Sequence, residues 1–200
     1  MPKPTIALTF DDGPCEKTLH LLDTLAQHNA HASFFIVGQE AQNGRHITLR
    51  AHQAGHQILN HTWSHPDLTT LTADEIKKEL LDTEAVITAI VGHCPKIFRP
   101  PYGRVNDTVK AVAAELGYAI LNWSVDPMDW DGKASEQIYS EIMAKVHDHA
   151  VILCHDIFEA TPPAIEKVVP ELMESYRMVT VSELFEGVSL TPGQLYTHRE

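Results

Sequence analysis

Long apolar runs, cysteines and positive charges are all scarce in this chain. No hydrophobic segment approaches the roughly 20 residues that a membrane-spanning helix needs, so the sequence predicts no membrane span. The three cysteines, Cys15, Cys94 and Cys154, cannot all pair with one another, which argues against a disulfide framework. Lysine and arginine number 15 against 27 aspartates and glutamates, and the formal net charge is -12. Because nucleic acid binding needs a basic face, we expect no nucleic acid partner.

Linkers, low-complexity segments and internal repeats are also absent from the sequence. The 200 residues fit one domain of ordinary size, so we expect residues 1–200 to form a single domain. The amino-terminal residues Met1-Pro2-Lys3-Pro4 do not resemble a signal peptide. This leaves either an intracellular protein or a secreted protein whose leader is not part of this chain.

Short apolar runs alternate with helical patterns along the whole chain. Thr72 and Glu75 are spaced as a capping box, and Gly117 follows a periodic segment where a helix should end. The predicted strands are Thr5–Phe10, Ala32–Val37, His56–Leu59, Lys96–Phe98, Tyr118–Trp123, Ala150–Cys154 and Met178–Val181. The predicted helices are Glu16–His28, His46–Ala54, Ala73–Val91, Asp107–Leu116, Ser135–Val146 and Pro163–Tyr176.

About seven strand–helix units in a chain of this size predict an α/β fold with a parallel sheet buried by helices. The first strand is not followed by Gly-x-Gly-x-x-Gly, which disfavours an open dinucleotide-binding sheet. Polar residues after five strands favour a distorted (β/α)7-type barrel instead, since the carboxyl ends of barrel strands meet on one face, where active sites lie. These residues are Asp11, Asp12, His61, His65, Arg99, Asp126, Asp129, His155 and Asp156.

The spacing His61-x-x-x-His65 is that of a candidate metal-binding pair. Imidazole suits zinc and similar divalent ions, and a carboxylate from Asp11-Asp12 would complete a set of two histidines and one aspartate with positions open for water. Two adjacent carboxylates repel one another unless a cation neutralises one of them. From the residues alone, a solvated histidine pair and a surface turn at Asp11-Asp12-Gly13-Pro14 remain as alternatives.

Five short motifs occur in order along the chain: Thr9-Phe10-Asp11-Asp12-Gly13, His61-Thr62-Trp63-Ser64-His65-Pro66, Arg99-Pro100-Pro101-Tyr102-Gly103, Asp126-Pro127-Met128-Asp129-Trp130 and Leu153-Cys154-His155-Asp156. This set resembles the motifs of the polysaccharide deacetylase family, also called the NodB-homology domain or carbohydrate esterase family 4. The resemblance extends from about Thr5 to Leu184, nearly the whole chain.

The resemblance implies one divalent metal ion held by Asp12, His61 and His65. Zinc is the first expectation, with cobalt, nickel or manganese as alternatives. Such an ion would activate a water molecule and polarise an acetyl carbonyl group. Asp11 would be the general base that takes the proton of that water. Arg99 would hydrogen-bond this base and keep it charged and aimed.

Five further roles follow from the same resemblance. His155 would be the general acid that protonates the departing nitrogen, and Asp129 would orient this histidine and raise its pKa. The backbone N–H of Tyr102 would stabilise the tetrahedral intermediate, and its side chain would contact substrate or simply pack. Trp130 and Leu153 would line a small apolar pocket for the acetyl methyl group.

The resulting hypothesis is a metal-dependent hydrolase that removes N-acetyl groups from N-acetylglucosamine in chitin, chito-oligosaccharide or peptidoglycan and releases acetate. An acetylxylan esterase is the alternative, because the same motifs support it. A carbohydrate-binding pseudoenzyme is a second alternative, disfavoured because a structural metal site needs no Asp11, Arg99 or His155. These glycans lie outside cells, so we expect a secreted or cell-surface protein, with a cytoplasmic location as the alternative. The sequence does not indicate an oligomeric state.

Overall fold

A sheet of eight strands covered by helices makes up the fold. The computed structural model describes residues 3–199. The strands are β1 (Thr5–Asp11), β2 (Ser33–Ile36), β3 (Gln57–Asn60), β4 (Ile97–Phe98), β5 (Ala119–Leu121), β6 (Val151–His155), β7 (Arg177–Met178) and β8 (Leu195–Tyr196). The helices are α1 (Glu16–Gln27), α2 (Gly38–Asn43), α3 (Arg45–Gln53), α4 (Ala73–Val91), α5 (Asp107–Leu116), α6 (Ser135–Lys145), α7 (Thr161–Ser175) and α8 (Val181–Leu184). No helix within the described range is long and apolar enough to cross a bilayer.

The sheet curls into a distorted barrel. Its strands follow the order β6-β1-β2-β3-β4-β5-β8, and β7 pairs with the first residues of β1. Every strand pairing is parallel. The sheet closes on itself where Val125, beyond β5, forms a parallel bridge with Ile152 of β6. The α/β class and the barrel of parallel strands are therefore confirmed, with a short eighth strand in addition to the seven predicted.

Side chains alternate between the two sides of each strand, and this alternation separates the main core from the barrel interior. In β1, Leu8 and Phe10 pack with helix residues in the main core, whereas Ala7 belongs to the cluster inside the barrel. Because side chains alternate along the strand, those of Thr9 and Asp11 lie on the same side of β1 as that of Ala7. The inner side of β1 therefore turns polar as the strand approaches its carboxyl end, which is where the candidate site lies.

The carboxyl-terminal part of the fold differs most from the prediction. The predicted strand Met178–Val181 is wrong beyond Met178, because Thr180 is instead the N-cap of α8. The Thr180 hydroxyl accepts a hydrogen bond from the backbone N–H of Glu183, and the Glu183 carboxylate accepts one from the backbone N–H of Thr180. This capping box favours a helix over continued strand. The sequence patterns also did not predict α2 or β8.

Candidate active site

Residues in or just after the carboxyl-terminal parts of five strands line a cavity of about 370 Å³ at the face of the barrel where these strands end. This is the face on which barrel active sites lie. The residues predicted for the site line this cavity, except Arg99 and Asp129, which hydrogen-bond to lining residues from behind. The lining residues are Asp11, Asp12, His61, His65, Pro100, Tyr102, Arg104, Trp123, Asp126, Trp130, Leu153, His155 and Phe158.

Asp12, His61 and His65 bring three potential ligand atoms to one point. The Nε2 atoms of His61 and His65 lie 3.3 and 3.2 Å from Oδ1 of Asp12, and the three atoms lie within 4.8 Å of one another. Nδ1 of His61 is 2.7 Å from the carbonyl oxygen of Arg99. Because a carbonyl oxygen only accepts, Nδ1 donates this hydrogen bond, and Nε2 is the ring nitrogen that faces Asp12.

This set of donor atoms fits a divalent cation. Oδ1 of Asp12 is buried and has no hydrogen-bond partner of suitable geometry within residues 3–199, although two imidazole nitrogens lie beside it. Burial by itself would raise the pKa of Asp12, but His61 and His65 outweigh burial and hold this pKa far below its usual range. Two imidazoles and one carboxylate suit zinc and similar ions. The three residues predicted as ligands therefore form a candidate metal site.

The loop that carries the two histidines is held in an uncommon backbone conformation. Thr62 and His65 have φ angles of 70° and 58°, in the left-handed region that few residues other than glycine occupy. Glu79 of α4 stabilises this loop, because its carboxylate accepts hydrogen bonds from two consecutive backbone N–H groups at 2.8 Å each. His61 and His65 therefore approach one another through a loop rather than through one turn of a helix.

Asp11 lies beside the candidate metal site and is bound by Arg99. Nη1 of Arg99 is 2.6 Å from Oδ1 of Asp11. Its Nε and Nη2 atoms donate to the carbonyl oxygens of Leu121 and Asn122 at 3.0 and 2.9 Å. Arg99 is fully buried. Burial lowers the pKa of its guanidinium group, while Asp11 raises it. These contacts fix the Asp11 carboxylate through one oxygen, and its Oδ2 lies on the side of the metal site, 3.8 Å from His61 Nε2.

His155 faces the same cavity and is held by Asp129. Nδ1 of His155 is 2.7 Å from Oδ1 of Asp129, and the backbone N–H of His155 donates to Oδ2 at 2.8 Å. The Thr161 hydroxyl donates to the same Oδ2 at 2.7 Å. Burial lowers the pKa of His155, but the hydrogen bond and charge of Asp129, together with more distant carboxylates, raise it to about 9. The predicted effect of Asp129 on His155 therefore has a structural basis.

Tyr102, Trp130 and Leu153 form part of the cavity wall, as predicted for substrate contacts. Tyr102 has a φ of 60°, and its backbone N–H donates no hydrogen bond within residues 3–199. Its ring centroid lies 4.9 Å from that of His65. Tyr102 and Trp130 are exposed, whereas Leu153 is buried. The wall thus offers two exposed aromatic faces and one apolar side chain beneath them.

Asp156, which the sequence analysis places at this face without a role, lies next to Gly13 beneath the candidate metal site. Its carboxylate accepts a hydrogen bond from the Thr18 hydroxyl at 2.5 Å, and burial raises the pKa of Asp156 to about 7. A Cβ atom on Gly13 would lie 2.0 Å from Oδ2 of Asp156. Only glycine therefore fits next to Asp12 without displacing this carboxylate. Neither Thr18 nor Thr161 shows a sequence pattern that would have identified its role.

The chain is similar to several known proteins. The sequence profile described as "Polysaccharide deacetylase" matches residues 1–121. A Bacillus cereus protein named peptidoglycan-N-acetylglucosamine deacetylase is 36% identical over 190 residues, which cover 92% of this chain and 69% of that protein. The Listeria monocytogenes protein named peptidoglycan-N-acetylglucosamine deacetylase PgdA is 37% identical over 193 residues, covering 96% of this chain. This chain spans only 41% of the length of that Listeria protein.

A solved structure shares the whole fold. It is a family 4 acetyl xylan esterase from Clostridium thermocellum in complex with a cobalt ion, and it superposes with a TM-score of 0.90 at 33% identity. The match covers 97% of this chain and 98% of that one. The profile spans more than half of this chain, and the Bacillus relative is matched over more than two thirds of its length. The chain therefore belongs to the polysaccharide deacetylase family of hydrolases, carbohydrate esterase family 4.

Proposed function

We propose that this chain is a metal-dependent deacetylase that hydrolyses the N-acetyl group of N-acetylglucosamine residues in a glycan and releases acetate. The candidate substrates are chitin, chito-oligosaccharide and peptidoglycan. The names of the Bacillus and Listeria relatives, both peptidoglycan-N-acetylglucosamine deacetylases, support the amide substrate. The proposal extends to the described domain only, because the Listeria relative is much longer than this chain.

The proposed metal ligands are Asp12, His61 and His65, with zinc as the first candidate ion. A divalent ion bound there would lower the pKa of a water molecule and polarise the acetyl carbonyl group. Asp11 is the proposed general base. Arg99 fixes one oxygen of the Asp11 carboxylate at 2.6 Å, which leaves the other oxygen to take a proton from the attacking water. Arg99 is thus a positioning residue.

His155 is the proposed general acid. With a pKa raised to about 9, its imidazole is protonated at neutral pH and can donate from Nε2, because Nδ1 is held by Asp129. The departing group in amide hydrolysis is an amine, which leaves poorly as its anion and therefore needs this proton. The hydrogen bond between His155 and Asp129 at 2.7 Å, in the same cavity as Asp11, is the observation that carries the proposal, because a site that only held metal would need no such acid.

The remaining roles concern substrate binding. We assign the backbone N–H of Tyr102, which has no acceptor within residues 3–199, to the negative oxygen that develops on the acetyl carbonyl. The exposed faces of Tyr102 and Trp130 would stack on sugar rings, and Leu153 would contact the acetyl methyl group. An acetylxylan esterase is the second candidate, and the cobalt-bound relative with that name supports it. Ester hydrolysis depends less on His155, since an alkoxide is a better leaving group than an amide anion.

The test is acetate release from chito-oligosaccharides and from acetylated xylan by the wild type, Asp11→Asn and His155→Ala. We expect release from chito-oligosaccharides, and a loss of about 100-fold or more in each variant. The exposed Asp74→Asn and His46→Ala variants are matched controls that should keep full activity. Release from xylan alone would replace the amide substrate with an ester. Wild-type activity in Asp11→Asn or His155→Ala would refute the assigned roles.

A further inference from the structure

Arg104 stands at the mouth of the cavity and has no part in the proposed chemistry. It is the only lysine or arginine among the described residues that line the cavity, and its side chain is 63% exposed. The guanidinium carbon lies 5.6 Å from the ring centroid of Tyr102, and that ring packs against His65. The positive charge is therefore one aromatic side chain away from the candidate metal ligands.

Asp67 holds Arg104 in place and leaves most of the N–H donors of the Arg104 guanidinium group without a partner in the described residues. Nη1 of Arg104 is 2.5 Å from Oδ2 of Asp67. The other oxygen, Oδ1, accepts hydrogen bonds from the backbone N–H and the hydroxyl of Thr69 at 3.0 and 2.6 Å. Asp67 is thus rigidly oriented. A guanidinium group has five N–H donors in a planar fork, and within residues 3–199 only Nη1 of Arg104 has a side-chain hydrogen-bond partner.

The free donors of Arg104 are suited to a carboxylate. A guanidinium group that is already oriented loses little conformational entropy when it forms a bidentate interaction with a second carboxylate. A neutral sugar hydroxyl gains much less from such a charge. We propose that Arg104 determines specificity by binding a carboxylate on the sugar next to the one that loses its acetyl group. This inference rests on the proposed function, and it favours acidic glycans, whose alternate sugars carry a lactyl carboxylate, over neutral chitin.

A structural role is the competing explanation. Asp67 lies two residues after His65, so the Arg104–Asp67 pair could serve only to hold the loop of the metal ligands. The two roles differ in what they affect. Loss of a contact that holds the loop lowers kcat on every substrate. Loss of a carboxylate contact instead raises KM for acidic substrates in particular. This rise in KM becomes smaller at high salt, because salt screens exposed charges.

The experiment compares kcat/KM for acetate release from two soluble substrates of equal length. One is a neutral chito-oligosaccharide, and the other is an oligomer of alternating N-acetylglucosamine and N-acetylmuramic acid with its lactyl carboxylates free. The variants are Arg104→Gln and Arg104→Lys. Arg50→Gln is the matched control, because Arg50 forms the same kind of exposed ion pair, with Asp23 at 2.5 Å, outside the cavity.

We expect Arg104→Gln to lower the ratio of kcat/KM on the acidic substrate to that on the neutral one by about fivefold, the upper end for an exposed ion pair. The change should lie in KM and shrink in high salt. Arg104→Lys should restore part of the ratio, and Arg50→Gln should leave it unchanged. An unchanged ratio, or an equal loss of kcat on both substrates, would overturn the inference. Absence of acetate release by the wild type from both substrates would instead refute the proposed function.

Discussion

Replacing Asp129 by asparagine removes the charge that keeps His155 protonated. Oδ2 of Asp129 accepts from two donors, the backbone N–H of His155 and the Thr161 hydroxyl. The amide oxygen of an asparagine must take that place, so its NH₂ group faces Nδ1 of His155. The ring then accepts at Nδ1 and carries its proton on Nε2 in the neutral form. The rise in the pKa of His155 from 6.5 to about 9 corresponds to about 3 kcal/mol in favour of the charged ring.

Without that charge, burial, the largest effect on this group, outweighs the more distant charges of Asp11 and Asp12, and the pKa of His155 should fall to 6.5 or lower. At pH 8 the protonated fraction then drops at least about thirtyfold. We expect acetate release by Asp129→Asn to fall by that factor at pH 8 and by less at pH 6. The assay is a pH profile of kcat/KM on chito-oligosaccharide. Asp126→Asn, which removes a cavity charge that does not contact His155, should leave the alkaline limb in place. A loss that is equal at every pH would refute the reasoning.

Two further predictions concern stability. Arg99→Met leaves the buried carboxylate of Asp11 without its cation and should lower the free energy of unfolding by about 3–5 kcal/mol, measured by urea denaturation. Adding Asp11→Asn should recover part of that loss, and an unchanged midpoint in Arg99→Met would contradict the account. Gly13→Ala places a Cβ atom 2.0 Å from Oδ2 of Asp156 and should cost about 1–3 kcal/mol. Asp156→Ala in the same chain should relieve this clash, and independent, additive effects of the two substitutions would show that no clash exists.

The parallel strands and the grouping of the polar residues at one face could be predicted because both follow from local patterns. Strands buried on two faces appear as apolar runs, and polar residues after such runs mark the carboxyl-terminal face. The five motifs then indicated which of these polar residues belong to one site. The alternation of side chains explains why this works: Asp11 ends β1 on the inner side, and His155 ends β6 on the same side as Val151 of the interior cluster.

Features that depend on distant contacts could not be predicted in the same way. Strand β8 has only two residues and exists because Leu195 and Tyr196 pair with β5, far away in sequence. Thr161 holds Asp129 across 32 positions, and no local pattern indicates that contact. Helix α8 is a different case. The spacing of Thr180 and Glu183 is a capping box that the sequence does show, but the preceding apolar run favoured a strand.

The cavity at the carboxyl ends of the strands is the proposed site of metal-dependent deacetylation. The most direct measurement is acetate release from chito-oligosaccharide by protein treated with a chelator, before and after zinc is added back, with the His61→Ala variant measured alongside. We expect no release without metal, recovery with zinc in the wild type, and no recovery in His61→Ala. Full release by metal-free protein, or recovery in His61→Ala equal to that of the wild type, would contradict this proposal.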